Sequence, residues 1–404
     1  MKRSGLTLLT IAVLVVAALS WWYRPWAPYS PSVMTRLLHP EYRLQNFRAM
    51  EKVFPFRVIP ASSEPFSFPR GEASLPEQFI HDGRVVDTRE FMLRTQTTGL
   101  MVLHRGTNMF EQYYLEATQK DRFTSWSVAK SVIGTLTAIA LKDGHIASLD
   151  DQVKQYVSEL DGAAWGEVPI RDLLRMASGI QFSEIYDEKF SDINMLFYRT
   201  FLLGDGVRQV IADLPAESPP GESFHYVSPN TQILGWVLES STGKPISAYA
   251  AEALWQPLGM QDEAIWSLDQ EGIELGFCCL NMTLRDYSKL GQLYLQQGIW
   301  NDQQLLPEGW VQQASRRPEP WLAAGNGFPE RGYGYHLWVP KDPDQEFFFN
   351  GVWGQTVWVS EKHNVVVAKT SVDPLFRQHM AEVISFMRAV SEFVAGAGEK
   401  SNRV

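Results

Sequence analysis

Ser127 and Lys130 are three residues apart at the start of a segment whose apolar residues have helical spacing. Residues three apart on a helix share a face, so this hydroxyl and this amine can meet. A serine hydroxyl is a weak nucleophile at neutral pH unless a base takes its proton. A lysine that is desolvated in a cleft can have a pKa low enough to serve as that base. The spacing therefore predicts a nucleophilic serine at the positive end of a helix dipole, with a lysine beside it.

Ser241 and Lys244 have the same spacing, so the pattern alone is weak. Gly243 lies inside this second match and Pro245 follows it. Those residues predict the end of a helix and a turn, where the two side chains would not stack. We therefore reject the second match.

Other catalytic schemes lack their motifs. The chain has no Gly-x-Ser-x-Gly, no His-Glu-x-x-His and no phosphate loop, and its 8 histidines have no ligand spacing. We expect no metal and no organic cofactor. The two cysteines, Cys278 and Cys279, are adjacent and cannot close a long loop. We interpret them as small buried residues, with a vicinal disulfide or a metal pair as alternatives.

The elements around Ser127 form a pattern of strands at both ends of a helical middle. Two β-type runs, residues 99–104 and 110–115, predict a hairpin before the Ser127 helix, residues 126–142. Further helices are predicted at residues 150–156, 170–176, 231–240, 246–255, 284–297, 307–316 and 378–394. Strands are predicted at residues 334–339, 346–349, 356–359 and 365–369. One sheet built from distant parts of the chain, with a helical segment inserted, accounts for this order.

We therefore divide the chain into two lobes with a cleft between them as the natural site. The sheet lobe comprises residues 91–145 and 325–398, and the mainly helical lobe comprises residues 146–324. A chain of 404 residues with 45% hydrophobic content is large enough for such a unit. Its net charge of −10, without a cluster of lysine and arginine, argues against nucleic acid as a partner.

The N-terminal residues 1–23 predict a membrane anchor. An apolar stretch, residues 4–23, follows Lys2 and Arg3, so the positive-inside rule places the rest of the chain outside the cytoplasm, attached to the inner membrane. The alternative is a cleaved signal peptide, which would leave a secreted or periplasmic protein. Residues 24–90 are punctuated by prolines and predict a linker and an irregular approach segment, beginning with a stiff spacer at Pro25, Pro28 and Pro31.

Several blocks occur in an order that resembles the class C β-lactamase and serine D-peptidase superfamily, and within it the branch of aminohexanoate-dimer hydrolases and carboxylesterases. They cover roughly residues 45–395 and are residues 123–131, Asp143-Gly-His-Ile, Leu149-Asp-Asp, residues 170–179, Pro257-Leu-Gly-Met260, Leu284-Arg-Asp286 and Gly332-Tyr-Gly-Tyr335. The resemblance implies an α/β fold of the α+β type. This β-lactamase/transpeptidase-like fold has an antiparallel sheet flanked by helices and an inserted all-helical lobe.

The resemblance also implies a third catalytic side chain, a tyrosine in a Tyr-x-Asn motif. The matching position here is Tyr226, with Ser228 where the family has asparagine. A phenol near a cationic lysine should have a lowered pKa and relay protons. Asn230 lies two residues further on, and whether it reaches the site stays open.

A strand opposite the serine is the last element that the resemblance implies. It corresponds to residues 349–355, where Gly351 allows close approach and the amides of Val352 and Ser127 form an oxyanion hole. Lys369 resembles the family's strand lysine, but we interpret it as part of an ordinary strand end. The expected substrate-binding residues are Ser228, Asn230, Phe349, Gly351, Trp353 and Gln355.

These departures from the family favour small neutral substrates. Phe349 and Trp353 replace the cation that binds a carboxylate, and the amide of Tyr-x-Asn is lost. We therefore expect hydrolysis of small esters or amides through an acyl-enzyme. The alternatives are a cell-wall D-peptidase or β-lactamase, and a non-catalytic binding protein of the same fold. We interpret one acidic group as a solvated loop, with binding of an amine-bearing substrate as the alternative; the group is Glu184, Asp187, Glu188 and Asp192. The sequence does not indicate the oligomeric state.

Overall fold

The structure is a computed structural model that describes residues 2–24, 27, 29–315 and 319–401. Its helices are α1 (Lys2–Tyr23), α2 (Pro31–Met34), α3 (Arg43–Asn46), α4 (Thr88–Arg94), α5 (Val128–Lys142), α6 (Ile170–Leu174), α7 (Asp192–Phe197), α8 (Val207–Ile211), α9 (Ser228–Thr242), α10 (Ile246–Ala250), α11 (Leu284–Leu295), α12 (Trp310–Ser315) and α13 (Met380–Ser401). Its strands are β1 (Phe56–Ile59), β2 (Gln78–His81), β3 (Arg84–Asp87), β4 (Thr97–His104), β5 (Thr107–Tyr113), β6 (Phe123–Thr124), β7 (Ala264–Ser267), β8 (Leu280–Met282), β9 (Ile299–Trp300), β10 (Gln303–Gln304), β11 (Arg331–Tyr333), β12 (Trp338–Pro340), β13 (Glu346–Gly351), β14 (Gln355–Ser360) and β15 (Val365–Ser371). Turns of π-helix, Tyr198–Leu203 and Ala251–Trp255, directly follow α7 and α10.

The largest sheet joins the two ends of the chain. Its seven strands run in the order β11-β12-β13-β14-β15-β4-β5, and neighbouring strands are antiparallel. The junction is β15 against β4, with Val365 opposite His104. Strands 97–113 therefore complete a sheet whose other members begin beyond residue 330. The predicted mixture of helices and antiparallel sheet is confirmed.

Helix α5 is buried along almost its whole length between this sheet and the other helices. Residues 128–140 are all buried, and α5 contacts both α9 and β13. Trp126, just before the helix, has a φ of 44°, a left-handed conformation that non-glycine residues rarely adopt. The chain therefore makes a sharp turn between β6 and α5, and Ser127 stands at that turn.

The segment predicted as linker and irregular approach, residues 24–90, is instead folded onto the core. Strand β1 pairs with β7 in a four-stranded sheet of order β1-β7-β8-β6. Phe47, Met50 and Phe54 are buried in the main core. Short elements separated by prolines lack the length that makes periodicity visible, which is why the sequence did not predict them. Pro25 and Pro28 of the proposed spacer lie outside the described residues.

The prediction of a membrane anchor at residues 1–23 is wrong. In the part of the chain that the structure describes, no helix is both long and apolar enough to cross a membrane. The uninterrupted apolar run, residues 11–19, covers less than half of the roughly 20 residues that a spanning helix needs. The extracytoplasmic, inner-membrane location inferred from this anchor loses its basis with it.

Several predicted elements are shorter than expected or shifted. Residues 150–156 contain only a 3₁₀ turn, Val153–Gln155. The strand predicted at residues 334–339 begins later, because residues 334–337 form the turn between β11 and β12, closed by Gly334 N–H donating to Leu337 O at 2.8 Å. The last residue of the helix predicted at 307–316 lies outside the described residues. The division into a sheet lobe and a mainly helical lobe remains our proposal.

Candidate active site

The start of α5 brings the hydroxyl of Ser127 and the amine of Lys130 together. Lys130 Nζ donates to Ser127 Oγ at 3.0 Å and to the carbonyl of Phe277 at 2.8 Å. Both side chains are buried, with residue exposures of 8% for Ser127 and 2% for Lys130. The geometry expected from the three-residue spacing is therefore present.

Burial changes the titration of Lys130. Loss of hydration lowers the pKa of its ammonium to about 8, against an opposing attraction from Glu184. A lysine with a pKa near 8 is half neutral in mildly alkaline solution, and a neutral amine can accept a proton. This side chain therefore has the properties of a general base for Ser127.

Tyr226 completes a group of three polar side chains. Its ring lies 5.3 Å from Lys130 Nζ and stacks on Trp338 at a centroid distance of 5.3 Å. Burial and the charge of Glu184 raise the pKa of its phenol above the ordinary value, although a hydrogen bond with Ser127 lowers it. The expectation of a lowered pKa is wrong, because burial and the charge of Glu184 outweigh the influences that lower the pKa. Tyr226 is therefore a neutral phenol and a hydrogen-bond donor.

Glu184 belongs to the candidate site, although the sequence led us to interpret it as part of a solvated loop. Its carboxylate accepts hydrogen bonds from Ser228 N–H at 2.7 Å, Ser228 Oγ at 2.6 Å and Tyr186 OH at 2.8 Å. It also acts electrostatically on both Lys130 and Tyr226. The serine that stands in place of the family's asparagine is thus the anchor of an acidic group beside the lysine. No spacing in the sequence signals a contact between residues 184 and 228.

Gly351 brings β13 against the turn that carries the serine. A Cβ built at this position would lie 2.4 Å from the carbonyl oxygen of Ser125 and 3.2 Å from the amide nitrogen of Ser127. Such a distance to a backbone oxygen leaves no room for any side chain. The next residue, Val352, lines the cavity described below. The backbone at residues 351–352 therefore lies directly beside the amide of Ser127.

The other expected substrate-binding residues divide between the site and the core. Trp353 lines the cavity with a φ of 65° and packs edge-on against Phe47 at 5.4 Å. Phe349 is buried against Tyr294 at 5.0 Å, and it lies outside the cavity lining because it packs into the main core.

Asn230 and Gln355 also lie outside the cavity lining. The side chain of Asn230 is fully buried and its amide contacts the sulfur of Met176 at 3.6 Å. Gln355 donates to the carbonyl of Ser371 at 2.6 Å, which fastens β14 to β15. Their assignment to substrate binding is therefore not supported. Ser228 and Asn230 are two residues apart on α9 and therefore lie on different faces of the helix. Their distance from Tyr226 in the sequence could not show which of them reaches the site.

The site opens into a cavity of about 710 Å³, which we call the site cavity. Among the described residues that line it, the charged ones are Lys130, Asp187 and Arg377, and the last two form an ion pair at 2.7 Å. Most of the remaining wall is apolar or aromatic. The site cavity is lined by Met34, Thr35, Leu37, Leu38, Trp126, Ser127, Lys130, Tyr186, Asp187, Ile193, Asn194, Phe197, Tyr198, Leu202, Ser228, Phe277, Cys278, Val352, Trp353, Pro374, Leu375, Phe376, Arg377 and Gln378.

The two cysteines lie at the candidate site, close to Lys130 in the fold. Cys278 and Cys279 form a vicinal disulfide, the alternative that the sequence left open, and both are buried. Cys278 lines the site cavity, and the preceding residue, Phe277, supplies the carbonyl that accepts from Lys130. The described residues contain no group of three or more His, Cys, Asp or Glu side chains that could hold a metal ion.

The chain is similar to known hydrolases in sequence and in structure. A 6-aminohexanoate-dimer hydrolase of Paenarthrobacter ureafaciens is 26% identical over 302 residues, which is 72% of this chain and 76% of that protein. The esterase EstB of Burkholderia gladioli is 26% identical over 230 residues, covering 52% of this chain and 57% of the esterase. A solved structure from Bacillus anthracis, provisionally named a 6-aminohexanoate-dimer hydrolase, has the same fold. Its TM-score is 0.81 at 22% identity over 90% of this chain and 96% of that one.

The predicted family resemblance and fold class are confirmed by these similarities. The sequence model of the family described as Beta-lactamase matches residues 84–374, well over half of the chain. The protein therefore belongs to the Beta-lactamase family, and it is a serine hydrolase.

Proposed function

We propose that Ser127 is the nucleophile of this hydrolase and that Lys130 is its base. The observation that carries the proposal is the 3.0 Å contact between Lys130 Nζ and Ser127 Oγ, made by a buried lysine whose pKa is about 8. In the first step the hydroxyl proton passes to the neutral amine while Ser127 Oγ bonds to the carbonyl carbon of the substrate. The carbonyl oxygen becomes an oxyanion.

The backbone beside Ser127 would hold that oxyanion. We assign this role to the amide N–H groups of Ser127 and Val352. The close approach of Gly351 to the Ser127 amide supports the assignment, since it brings the following residue to the site cavity. Fixed N–H donors aimed at developing charge are among the strongest contributions to acyl transfer.

Tyr226 would supply the proton that the leaving group needs. As a neutral phenol that hydrogen-bonds with Ser127, it can donate to the departing alkoxide or amine and recover a proton from the Lys130 ammonium. The products of this step are a free alcohol or amine and an ester on Ser127. Water then attacks that ester with the same groups in reverse, releasing the acid and restoring the serine.

The substrates we propose are neutral esters, or amides of similar shape. The relatives are named for hydrolysis of a 6-aminohexanoate dimer and for esterase activity, which supports this class of reaction. β-Lactams and D-alanyl peptides carry a carboxylate. In the described lining, Lys130 contacts the nucleophile and Arg377 is paired with Asp187, which argues against the D-peptidase and β-lactamase alternatives.

An active-site probe tests the proposal with a matched control in the same chain. A fluorophosphonate should label the wild type, Ser127→Ala should abolish both labelling and hydrolysis of 4-nitrophenyl esters, and Ser241→Ala should leave both unchanged. Ser241 belongs to the rejected Ser-x-x-Lys match, so it controls for the pattern itself. Labelling that survives Ser127→Ala would overturn the mechanism. Rapid turnover of a chromogenic cephalosporin would replace the proposed substrate class.

A further inference from the structure

Part of the site cavity is built by residues 34–38, which lie outside the region matched by the family. Met34, Leu37 and Leu38 face the cavity that also contains Ser127. The matched region begins only at residue 84. The N-terminal segment therefore contributes a wall of the site cavity from outside the matched region.

Contacts of Phe47 hold the N-terminal segment, residues 34–47, against the turn that carries Ser127. Phe47 packs edge-on against Trp126 at 5.1 Å and against Trp353 at 5.4 Å, and its carbonyl accepts from Thr124 N–H at 3.0 Å. Trp126 directly precedes Ser127 in the chain, and Trp353 directly follows Val352. The N-terminal wall is therefore tied to both backbones that would form the oxyanion hole.

Further contacts fix residues 36–38 themselves. Asn46 Nδ2 lies 3.2 Å from the carbonyls of Arg36 and Leu37, and Leu37 is buried. Helix α2 packs against the π-helical turn Tyr198–Leu203, which also contributes residues to the cavity wall. The segment is thus a packed part of the site.

The parts of the cavity wall that other segments contribute are also apolar. Ile193, Phe197 and Leu202 come from α7 and the turn after it, and Leu375 and Phe376 come from the segment after β15. At the mouth, Asp187 and Arg377 neutralise each other, and the Arg377 guanidinium lies 5.1 Å from the ring of Tyr186. A charged group placed against the apolar wall would lose its hydration, which costs free energy.

We infer that the site cavity is an acyl pocket for an uncharged, medium-length alkyl chain, such as an octanoyl group, and that Met34 and Leu38 determine this specificity. The inference rests on the proposed function. A cavity of about 710 Å³ is within the range that encloses a small organic ligand. Each methylene moved from water into such a pocket contributes about fourfold in kcat/KM until the pocket is filled.

A chain-length series on the full chain tests the inference. With 4-nitrophenyl acetate, butyrate, hexanoate and octanoate below their solubility limits, kcat/KM of the wild type should rise from acetate to octanoate. In Leu38→Asp, the ratio of kcat/KM for octanoate to that for acetate should fall roughly tenfold, because a carboxylate then faces the alkyl chain. Leu38 is 47% exposed, so the fold should tolerate the change.

Two further variants guard the result. Leu93→Asp places the same charge at an exposed leucine of α4 that does not line the site cavity, and it should leave the ratio unchanged. Met34→Trp should fill the pocket and move the optimum to shorter chains. A wild type that prefers acetate, or a Leu38→Asp variant with an unchanged ratio, would overturn the inference while fluorophosphonate labelling of Ser127 kept the proposed function. An unlabelled Ser127 together with no ester hydrolysis would overturn both.

Discussion

Lys130 is subject to two opposing influences that decide its protonation. Burial lowers its pKa to about 8, and the carboxylate of Glu184 favours the charged ammonium and raises it. The same carboxylate raises the pKa of Tyr226. Because of Glu184, a larger fraction of Lys130 is protonated than burial alone would allow. The Tyr226 phenol also loses its proton less readily. Since it binds Ser228 and Tyr186 rather than the substrate, it is a positioning residue.

This arrangement predicts a pH dependence that Glu184→Gln should move. Only neutral Lys130 can accept the serine proton, so kcat/KM for a neutral ester should rise with pH, with a midpoint near 8 in the wild type. Removing the carboxylate charge removes the effect that raises the lysine pKa, so the rising limb should shift to lower pH. The measurement is the pH profile of kcat/KM between pH 5 and 10.

A neighbouring acidic residue provides the control for charge alone. Glu188 belongs to the same acidic segment but is exposed, so Glu188→Gln should leave the midpoint in place. A midpoint near the ordinary lysine value of about 10.4 in the wild type would contradict the role of burial. An unmoved midpoint in Glu184→Gln, with only a lower rate, would reduce Glu184 to a structural support.

At the scale of single residues, the sequence predicted what one helix turn determines. The contact between Ser127 and Lys130 follows from their three-residue spacing at the start of a predicted helix. Glu184 could not be found in this way, because its partner Ser228 lies 44 residues further along the chain. The side-chain directions of Asn230 and Phe349 also depended on packing that no local pattern records. Contacts within one helix are readable from sequence, whereas contacts between elements require the fold.

At the scale of elements, β13 and the turn before α5 must meet without a side chain between them. Gly351 has a φ of −129°, which is ordinary extended backbone, so its requirement for glycine is steric. A methyl group would press on the carbonyl of Ser125, 2.4 Å away, and separate Val352 from the amide of Ser127.

Gly351→Ala should therefore lower kcat/KM by roughly 100-fold, the usual effect of losing one oxyanion donor. The effect should lie mainly in kcat, and the near-native far-UV spectrum should remain. Gly396→Ala is the matched control, since a Cβ there would meet no atom within 4 Å. Full activity of Gly351→Ala would contradict the placement of the oxyanion hole.

Prediction of elements succeeded where they are long and have a clear pattern. The β4–β5 hairpin contains two apolar runs separated by a turn, and α5 has apolar residues at a period of 3.6 residues. The short elements between residues 31 and 59 have no such pattern, although their apolar residues Phe47, Met50 and Phe54 are buried. The sequence predicts a linker there, whereas residues of this segment form part of the wall of the site cavity. The predicted membrane anchor failed for a different reason. The composition of the apolar N-terminal run suggested a membrane span, but the run is too short to provide one.

At the scale of the whole molecule, His336 links the turn between β11 and β12 to three helical regions. Its ring Nδ1 lies 3.0 Å from the carbonyl of Leu174, and its Nε2 lies 3.0 Å from Thr231 Oγ1. Its own carbonyl accepts from Ser131 Oγ at 2.6 Å. Because a carbonyl can only accept, the neutral ring carries its proton on Nδ1 and accepts from the threonine. His336 therefore joins the large sheet to α9 and to the end of α6 through its ring, and to α5 through its backbone carbonyl.

This imidazole should make the fold sensitive to acid. Burial, together with the nearby Lys130 charge, lowers the pKa of His336 to about 3, against about 6.5 in the unfolded chain. Its contribution to stability is therefore complete above pH 6.5 and is lost as the pH falls towards 3, because the unfolded state then binds the additional proton. The loss amounts to about 1.4 kcal/mol for each pH unit in that window.

His336→Gln should remove this part of the acid dependence, whatever it does to stability at pH 7. The free energy of unfolding, measured in denaturant at pH 7, 6, 5 and 4, should fall less steeply with acid in the variant than in the wild type. Carboxylates contribute to both proteins alike, so the difference between the two slopes isolates the histidine. His225→Gln changes an exposed histidine and should keep the wild-type slope. Equal slopes in His336→Gln and the wild type would mean that the ring takes up its proton over the same pH range in the folded and the unfolded states. The hydrogen bond that the ring accepts from Thr231, which ties the large sheet to α9, would then not resist its protonation.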